Sequence, residues 1–477
     1  MRRRLATLLL VLPLVLAGCS KPRSDGLIVV SVIGGAPELR DPDRRPLAAP
    51  DAALIGATAQ GLVRFDAAGQ IEPGVARRWA VSDDGLYYIF RIEPGGPIDA
   101  EAAARRLRRA IAAASRNPLK PVLGAIDEIV AVTPEVVEIR LHAPRPNLLQ
   151  LLAQPELALI TGKGGTGPMR IARRETGVLL LTPVDAEAVP AGEPPSGQVR
   201  LRGERAALAV ARFAAGEAAA VLGGTFADLP IARAANLGDR VVRFDPVLGL
   251  FGLAFADTSG FAGSVEYRRA LAMAIDRDAL TRRFDVPAWR SSATLLPVGV
   301  PDLPTPARPD WIDTPLDQRR AIAAEAVSRW TTAEGAAPIV RVALPDGPGS
   351  NLLFAALRRD WRAIGVTTER VAADAPADLR LIDLVAPADI GSWYLRRFTC
   401  TFSRVCSEQA DTALIAARDA ATLSERARFL GEADARLAEI SAYIPLAMPL
   451  RWSLADPAGG LQPNARAVHP LNHLRRD

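Results

Sequence analysis

The stretch LIGATAQGLVRFDAAGQIEPGVARRWAVSDDGLYYIFRI, from Leu54 to Ile92, decides how the rest of the chain is read. It opens as the end of a helix. In Leu62-Val63-Arg64-Phe65 apolar and polar residues alternate, as a half-buried strand requires. Asp66-Ala67-Ala68-Gly69 supplies turn chemistry, with Gly69 able to take the positive φ such a turn often needs. A second turn follows. Trp79-Ala80-Val81-Ser82 and Leu86-Tyr87-Tyr88-Ile89-Phe90 then flank Asp83-Asp84-Gly85, a strong short-range hairpin signal. The stretch holds no nucleophile, metal cluster or phosphate loop.

The N-terminus sets the compartment. Arg2-Arg3-Arg4 is a basic n-region, and Leu5 to Leu16 is an apolar h-region too short to span a bilayer comfortably. Leu16-Ala17-Gly18-Cys19 resembles the lipobox of bacterial lipoproteins, in which cleavage leaves the Cys as a lipid-bearing N-terminus. Residues 1–18 are therefore expected to be a signal peptide and 19–26 a tether to the membrane. Export also alters the charge balance. The formal net charge is +5, but without Arg2, Arg3 and Arg4 the chain keeps 55 basic and 53 acidic residues. With no Lys/Arg run interleaved with aromatics, nucleic-acid binding has no support. No second run of eighteen apolar residues occurs, so membrane contact is expected only through Cys19.

The 459 residues from Cys19 onward are too many for one core and imply two or three domains. Leu27 to Ile33 is a nearly continuous apolar run, the pattern of a strand buried on both faces. Asp99 to Ala114 reads as a helix with Asp99 as N-cap. Hairpins are expected over 125–141 and 169–182, a helix over 205–215, and loop over 185–196. In the second half, Leu248 to Phe255 reads as a strand and Val265 to Leu280 as one helix. Helices over 316–330, 351–364 and 423–440 alternate with strands over 339–344, 366–371, 379–385 and 444–450. This alternation predicts a parallel-type α/β domain.

Catalytic motifs are absent. Gly162-Lys163-Gly164-Gly165-Thr166-Gly167 matches G-x-G-x-x-G after an apolar run, but Pro168 and a hairpin follow where a dinucleotide site needs a helix. A Gly-rich interdomain crossing is the better reading. Among the three histidines, His469 and His473 have the spacing of two ligands on one helix face. They lie in the last nine residues with Pro470 between them, so a frayed terminus is expected there. No G-x-S-x-G elbow and no local Cys/His pair exist. Cys400 and Cys406 have five residues between them, and export favours a disulfide over two free thiols. No metal, cofactor or enzymatic activity is expected.

Five motifs in order carry a family resemblance. Gly61-Leu62-Val63-Arg64-Phe65-Asp66 leads on through Gly69, Pro73-Gly74-Val75-Ala76, Trp79, Val81-Ser82-Asp83-Asp84-Gly85, Tyr88 and Phe90. Gly165-Thr166-Gly167-Pro168, Tyr267 to Arg277, Trp361 to Val366 and Ala442 to Leu446 then follow. The set resembles solute-binding proteins of family 5, the peptide and nickel receptors of ABC importers. That resemblance implies an α/β, bilobed periplasmic-binding-protein fold of the large three-part type, with a hinged cleft between lobes. Residues 27–50, 161–245 and 447–477 would form the core of lobe I, 51–160 its accessory domain, and 246–446 lobe II. The implied function is capture of a peptide or peptide-like solute by a monomer anchored in the periplasm, and its delivery to an ABC permease. An accessory envelope lipoprotein of the same fold, without transport, is the second reading.

The chain departs from the family pattern where ligand is held. Residues 93–101 are shorter than the family's and lack its Trp and Asp-Gly. In known peptide receptors the first Asp of a D-Y-x-D-P segment pairs with a peptide α-amine. The matching segment here is Ala386 to Leu395, where Pro387 falls near that Asp and Asp389 approximates it. Asp389, Trp393 and Tyr394 are the candidate ligand-binding residues. The two aromatics either line the cleft or pack in the lobe core. If Asp389 lies outside the cleft, peptides with a charged N-terminus are disfavoured, because a buried ammonium needs a carboxylate.

Overall fold

A computed structural model of the chain describes residues 26–161, 165–184, 197–238, 240–300 and 303–475. The signal peptide, Cys19, most of the tether, Gly162-Lys163-Gly164 and the loop 185–196 lie outside the described residues.

The quoted stretch folds through its own short-range chemistry. Helix Ala49–Thr58 leads into strand Val63–Phe65, and Asp66 Oδ1 accepts the Ala68 and Gln70 N–H groups, each at 2.8 Å. Gly69 sits at φ +76, the left-handed conformation this turn requires. The expected second turn is the bend at Gly74-Val75, and before it lies a strand that was not expected, Ile71–Pro73, paired antiparallel with Val63–Phe65. Its proline is tolerated because the two-stranded ribbon leaves that side of the backbone unpaired. The hairpin Ala76–Val81 and Tyr87–Ile92 then closes around Ser82 to Leu86, with Asp84 Oδ1 accepting the Leu86 N–H at 3.0 Å. Tyr88, Phe90 and Ile92 alternate inward. With Ile126–Thr133 and Val136–Leu141 this hairpin forms a four-stranded antiparallel sheet. Helix Ala100–Ile111 covers it, capped by Asp99, which accepts the Ala102 N–H at 2.7 Å.

A second, seven-stranded sheet is assembled from distant parts of the chain. Its order is Val242–Phe244, Arg451–Ala455, Ala220–Thr225, Ile28–Ile33, Val199–Glu204, Val178–Pro183, Met169–Glu175. Ile28–Ile33 lies at the centre, parallel to both neighbours and buried on both faces as its apolar run requires. The strands Val199–Glu204 and Ala220–Thr225 were not anticipated. One carries arginines at alternate positions, and the other carries Gly223-Gly224, which weakens a strand signal. Gly224 is required for packing: a Cβ there would lie 2.2 Å from the Trp452 indole.

The third sheet has the order Thr367–Ala372, Ile339–Leu344, Leu379–Val385, Gly249–Phe255, Tyr443–Ala447. The first three strands are parallel, as their alternation with helices predicts. Gly249–Phe255 pairs antiparallel with both of its neighbours, so the sheet is mixed. Two further expectations are corrected. The helix over 265–280 is two helices, Val265–Ala274 and Arg277–Arg282, because Ile275 takes an extended ψ of 125. Asp276 then caps the second helix through Ala279 N–H at 2.9 Å, while its own N–H goes to Asp360 Oδ2 at 3.0 Å. The strand over 444–450 ends at Ala447, and the chain resumes as Arg451–Ala455 in the seven-stranded sheet.

Cys400 and Cys406 are joined by a disulfide, with their Cα atoms 5.0 Å apart. The C-terminus is docked, against the frayed end expected: Leu471 and Leu474 are buried, and His469 Nε2 lies 3.2 Å from Asp245 Oδ2. Apolar residues in 471–474 hold it down, a signal masked in sequence by the prolines and arginines around them.

Helix Leu423–Glu439 buries Asp434, whose Oδ2 accepts the Ala307 N–H at 2.7 Å. Burial pushes this carboxyl up to about 6, opposed only by that hydrogen bond. Since the folded value lies above the unfolded one, its stabilising contribution is full below about pH 4 and lost as pH rises through about 6. Asp434→Asn is therefore expected to stabilise the protein at neutral pH by up to about 2 kcal/mol. Thermal melts of both proteins between acid and neutral pH test this; equal pH profiles would refute it.

Candidate ligand cleft

Two chain crossings join the seven-stranded and five-stranded sheets. Phe244 to Gly249 carries the chain out, and Ala447 to Arg451 carries it back. They run side by side, tied by the Asp245 N–H donating to the Arg451 carbonyl at 3.1 Å. Behind them Phe226, Phe251, Phe284 and Trp289 form a chain of edge-on and tilted rings with centroids 4.9 to 6.3 Å apart. Each crossing is braced at its end. Arg451 Nη1 lies 2.8 Å from Asp383 Oδ1, and Asp245 Oδ1 accepts the Asn464 N–H at 2.9 Å.

In front of the crossings lies a cavity of about 460 Å³. Gly223, Gly224 and Thr225, at the end of a central strand, form one wall, and Leu384 to Pro387 form the opposite wall. Five charged side chains line the cavity: Asp245, Arg451 and Arg466 are paired within the protein, and Glu156 and Arg397 have no ion-pair partner among the described residues. The Glu156 carboxyl is held by its own backbone N–H, and the Arg397 guanidinium stands over the Trp393 ring. Burial pushes the Glu156 carboxyl above the usual carboxylate range and lowers the Arg397 guanidinium. Sequence reading missed both: Glu156 sits in an ordinary Gln-Pro-Glu turn, and Arg397 is one of many arginines.

The three candidate ligand residues are placed differently from one another. Trp393 lines the cavity, with the Arg397 guanidinium 5.5 Å from its ring centre. Tyr394 is 1% exposed and packs edge-on against Trp393 at 4.9 Å, beneath the wall. Burial and the neighbouring Asp389 raise its phenol well above the ordinary value. Asp389 does not line this cavity. Its Oδ1 lies 3.0 Å from Arg466 Nη2, in the C-terminal segment.

The backbone from Ala386 to Asp389 is clasped from the other lobe. Gln154 Nε2 donates to the Pro387 carbonyl at 2.6 Å and Asn147 Nδ2 to the Asp389 carbonyl at 2.7 Å. Arg466 donates to the Ala386 carbonyl at 3.3 Å and to Gln150 Oε1 at 3.1 Å. The two lobes are thus drawn together by direct hydrogen bonds at the mouth of the cavity.

Comparison with known proteins places this geometry. No curated protein matches the chain. Among solved structures, Haemophilus influenzae OppA in complex with RPPGFSPFR superposes with a TM-score of 0.80 at 15% identity, over 94% of this chain and 98% of that one. The Escherichia coli murein tripeptide binding protein MppA gives 0.80 at 18% identity, over the same shares. The unliganded open form of MppA gives 0.64 at 18% identity, over 94% and 96%. At these identities the likeness establishes the bilobed fold. The model for the bacterial extracellular solute-binding proteins, family 5 (middle), matches residues 70–393, and the chain therefore belongs to that family of solute-binding proteins.

Proposed function

We propose that this protein is a lipid-anchored receptor of an ABC importer, closing its two lobes on a peptide or peptide-like solute and presenting it to a permease. The observation that carries this reading is the cavity of about 460 Å³ between the two sheets, lined by a carboxylate and a guanidinium, Glu156 and Arg397, that have no ion-pair partner among the described residues. Ligand that touches both walls stabilises the closed arrangement over the open one. Residues 27–50, 161–245 and 447–477 are proposed as lobe I, 51–160 as its accessory domain and 246–446 as lobe II. The membership of the three sheets supports this division. Cleavage before Cys19 and lipidation would hold the receptor in the periplasm near its transporter, raising its local concentration there.

Within this reading Trp393 forms the wall on which ligand packs, and Tyr394 supports it from behind. Asp389, the expected ammonium partner, is neutralised by Arg466 and holds the lobes together. A ligand ammonium would pair instead with Glu156, whose desolvated carboxylate gains from a cation. The clasp at 386–389 also favours one alternative. A receptor that closes on itself without ligand fits an accessory envelope lipoprotein of the same fold that has given up transport.

Thermal-shift screening of the mature protein against peptide pools separates these readings. A receptor is expected to gain about 2.7 kcal/mol at roughly a hundredfold excess of ligand over its dissociation constant. No shift with any pool would refute the peptide reading, and Glu156→Gln is expected to weaken whatever shift a peptide gives. Arg466→Ala leaves Asp389, Gln150 and the Ala386 carbonyl without their donor. It is expected to cost about 2–3 kcal/mol in urea unfolding and to enlarge the radius of gyration in X-ray scattering as the lobes part. An unchanged radius would show that the clasp does not hold the lobes.

A further inference from the structure

The interlobe space continues past Trp393 and Arg397 into a second, outer chamber of about 570 Å³, which these two residues share with the inner cavity. Four arginines line the outer chamber, Arg380, Arg396, Arg397 and Arg404, and no acidic residue does. Two of the four are engaged. Arg396 donates to the Pro121 carbonyl across the lobes, and Arg380 Nη2 to the Ala375 carbonyl at 2.9 Å. Among the described residues, Arg397 and Arg404 make no ion pair or hydrogen bond with protein; Arg397 stands over the Trp393 ring.

The chamber is shaped as well as charged. The disulfide between Cys400 and Cys406 closes the loop that carries Phe402 and Arg404 to the rim. Val405 is buried and anchors that loop, and the Cys400 N–H donates to Asp411 Oδ2 at 3.1 Å. Phe402 is 68% exposed in a protein whose other phenylalanines are mostly buried. It faces a chamber also lined by Phe255 and Phe398. Apolar walls beneath two free guanidinium forks suit methylene stems ending in carboxylates, which guanidinium groups bind in bidentate fashion. Desolvation lowers the Arg396 and Arg397 guanidinium groups, and Arg418 adds to this at Arg396.

We propose that the solute is an acidic peptide, with at least two carboxylates seated in the outer chamber on Arg397 and Arg404 and its main chain in the inner cavity. This specificity rests on the receptor function proposed above and names its substrate class. Paired carboxylates on a free polycarboxylate would satisfy the same two arginines, so the test separates the two sources.

Calorimetric titration of the mature protein uses matched tetrapeptide pools containing two glutamates, two glutamines or two lysines, and tricarballylate as a peptide-free anion. The glutamate pool is expected to bind about tenfold or more tightly than the glutamine pool, with the margin shrinking as salt is raised. The double variant R397Q/R404Q should lose that margin, binding the glutamate and glutamine pools alike, and R397K/R404K should recover part of it. Both variants are expected to melt within a few degrees of the unliganded wild type, since neither side chain makes an ion pair or hydrogen bond with protein among the described residues and only the Arg397–Trp393 contact is lost. Equal binding of all three pools, or a glutamate preference that survives R397Q/R404Q, would overturn acidic specificity and leave the receptor function standing. Arginine-dependent binding of tricarballylate alone would keep the anion chamber and remove the peptide. Binding of no probe would overturn both.

Discussion

The hydrogen bond from the Asp245 N–H to the Arg451 carbonyl marks the place on which the architecture turns. There the chain leaves one sheet for the other and, about two hundred residues later, returns beside its own exit. Two adjacent short segments between hydrogen-bonded sheets are where a hinge bends, because few residues there must change conformation. The braces on either side, Arg451 to Asp383 and Asp245 to Asn464 and His469, tie each crossing to the body it leaves. The cavity exists because the two sheets meet here at their strand ends, where backbone groups stop pairing with neighbours.

The clasp across the cavity mouth is the second constraint. Gln154, Asn147 and Arg466 take up the carbonyls of Ala386, Pro387 and Asp389. Pro387 contributes no N–H, while the Ala386 N–H donates to the Leu248 carbonyl and the Asp389 N–H to Gln150 Oε1. Each such bond is worth about 1 kcal/mol net, so a few of them can hold two lobes together without ligand. A ligand must then bind the closed form better than this internal set does, or bind where the set leaves room. The inner cavity and the outer chamber are such room.

Much of the framework was legible because local chemistry carries it. The Asp66 and Asp84 turns, the Asp99 cap and the alternation of Tyr88, Phe90 and Ile92 are decided within a few residues of chain, and they fold as read. The misreadings share a cause. Val199–Glu204 is a strand because Ile28–Ile33 pairs with it from across the sequence, although its own residues include two arginines and a glycine. The break at Ile275 depends on Asp360, eighty-four residues away, accepting the Asp276 N–H. His469 is held by Asp245, which no inspection of the C-terminal segment reveals.

The family, the bilobed fold and the hairpin framework follow from the sequence by itself, since turn residues, caps and periodicity act over short distances and appear in fixed order. What the cleft presents to a solute was decided only in three dimensions. Asp389 looked like a ligand anchor, but Arg466 reaches it from the far end of the chain and cancels its charge. Glu156 and Arg397 carried no signal in the sequence, but the fold sets both on the wall of one cavity without an ion-pair partner among the described residues. The physical reason is that a charge's role depends on which opposite charge lies within a few ångströms and how much water remains, and both are properties of the packed chain.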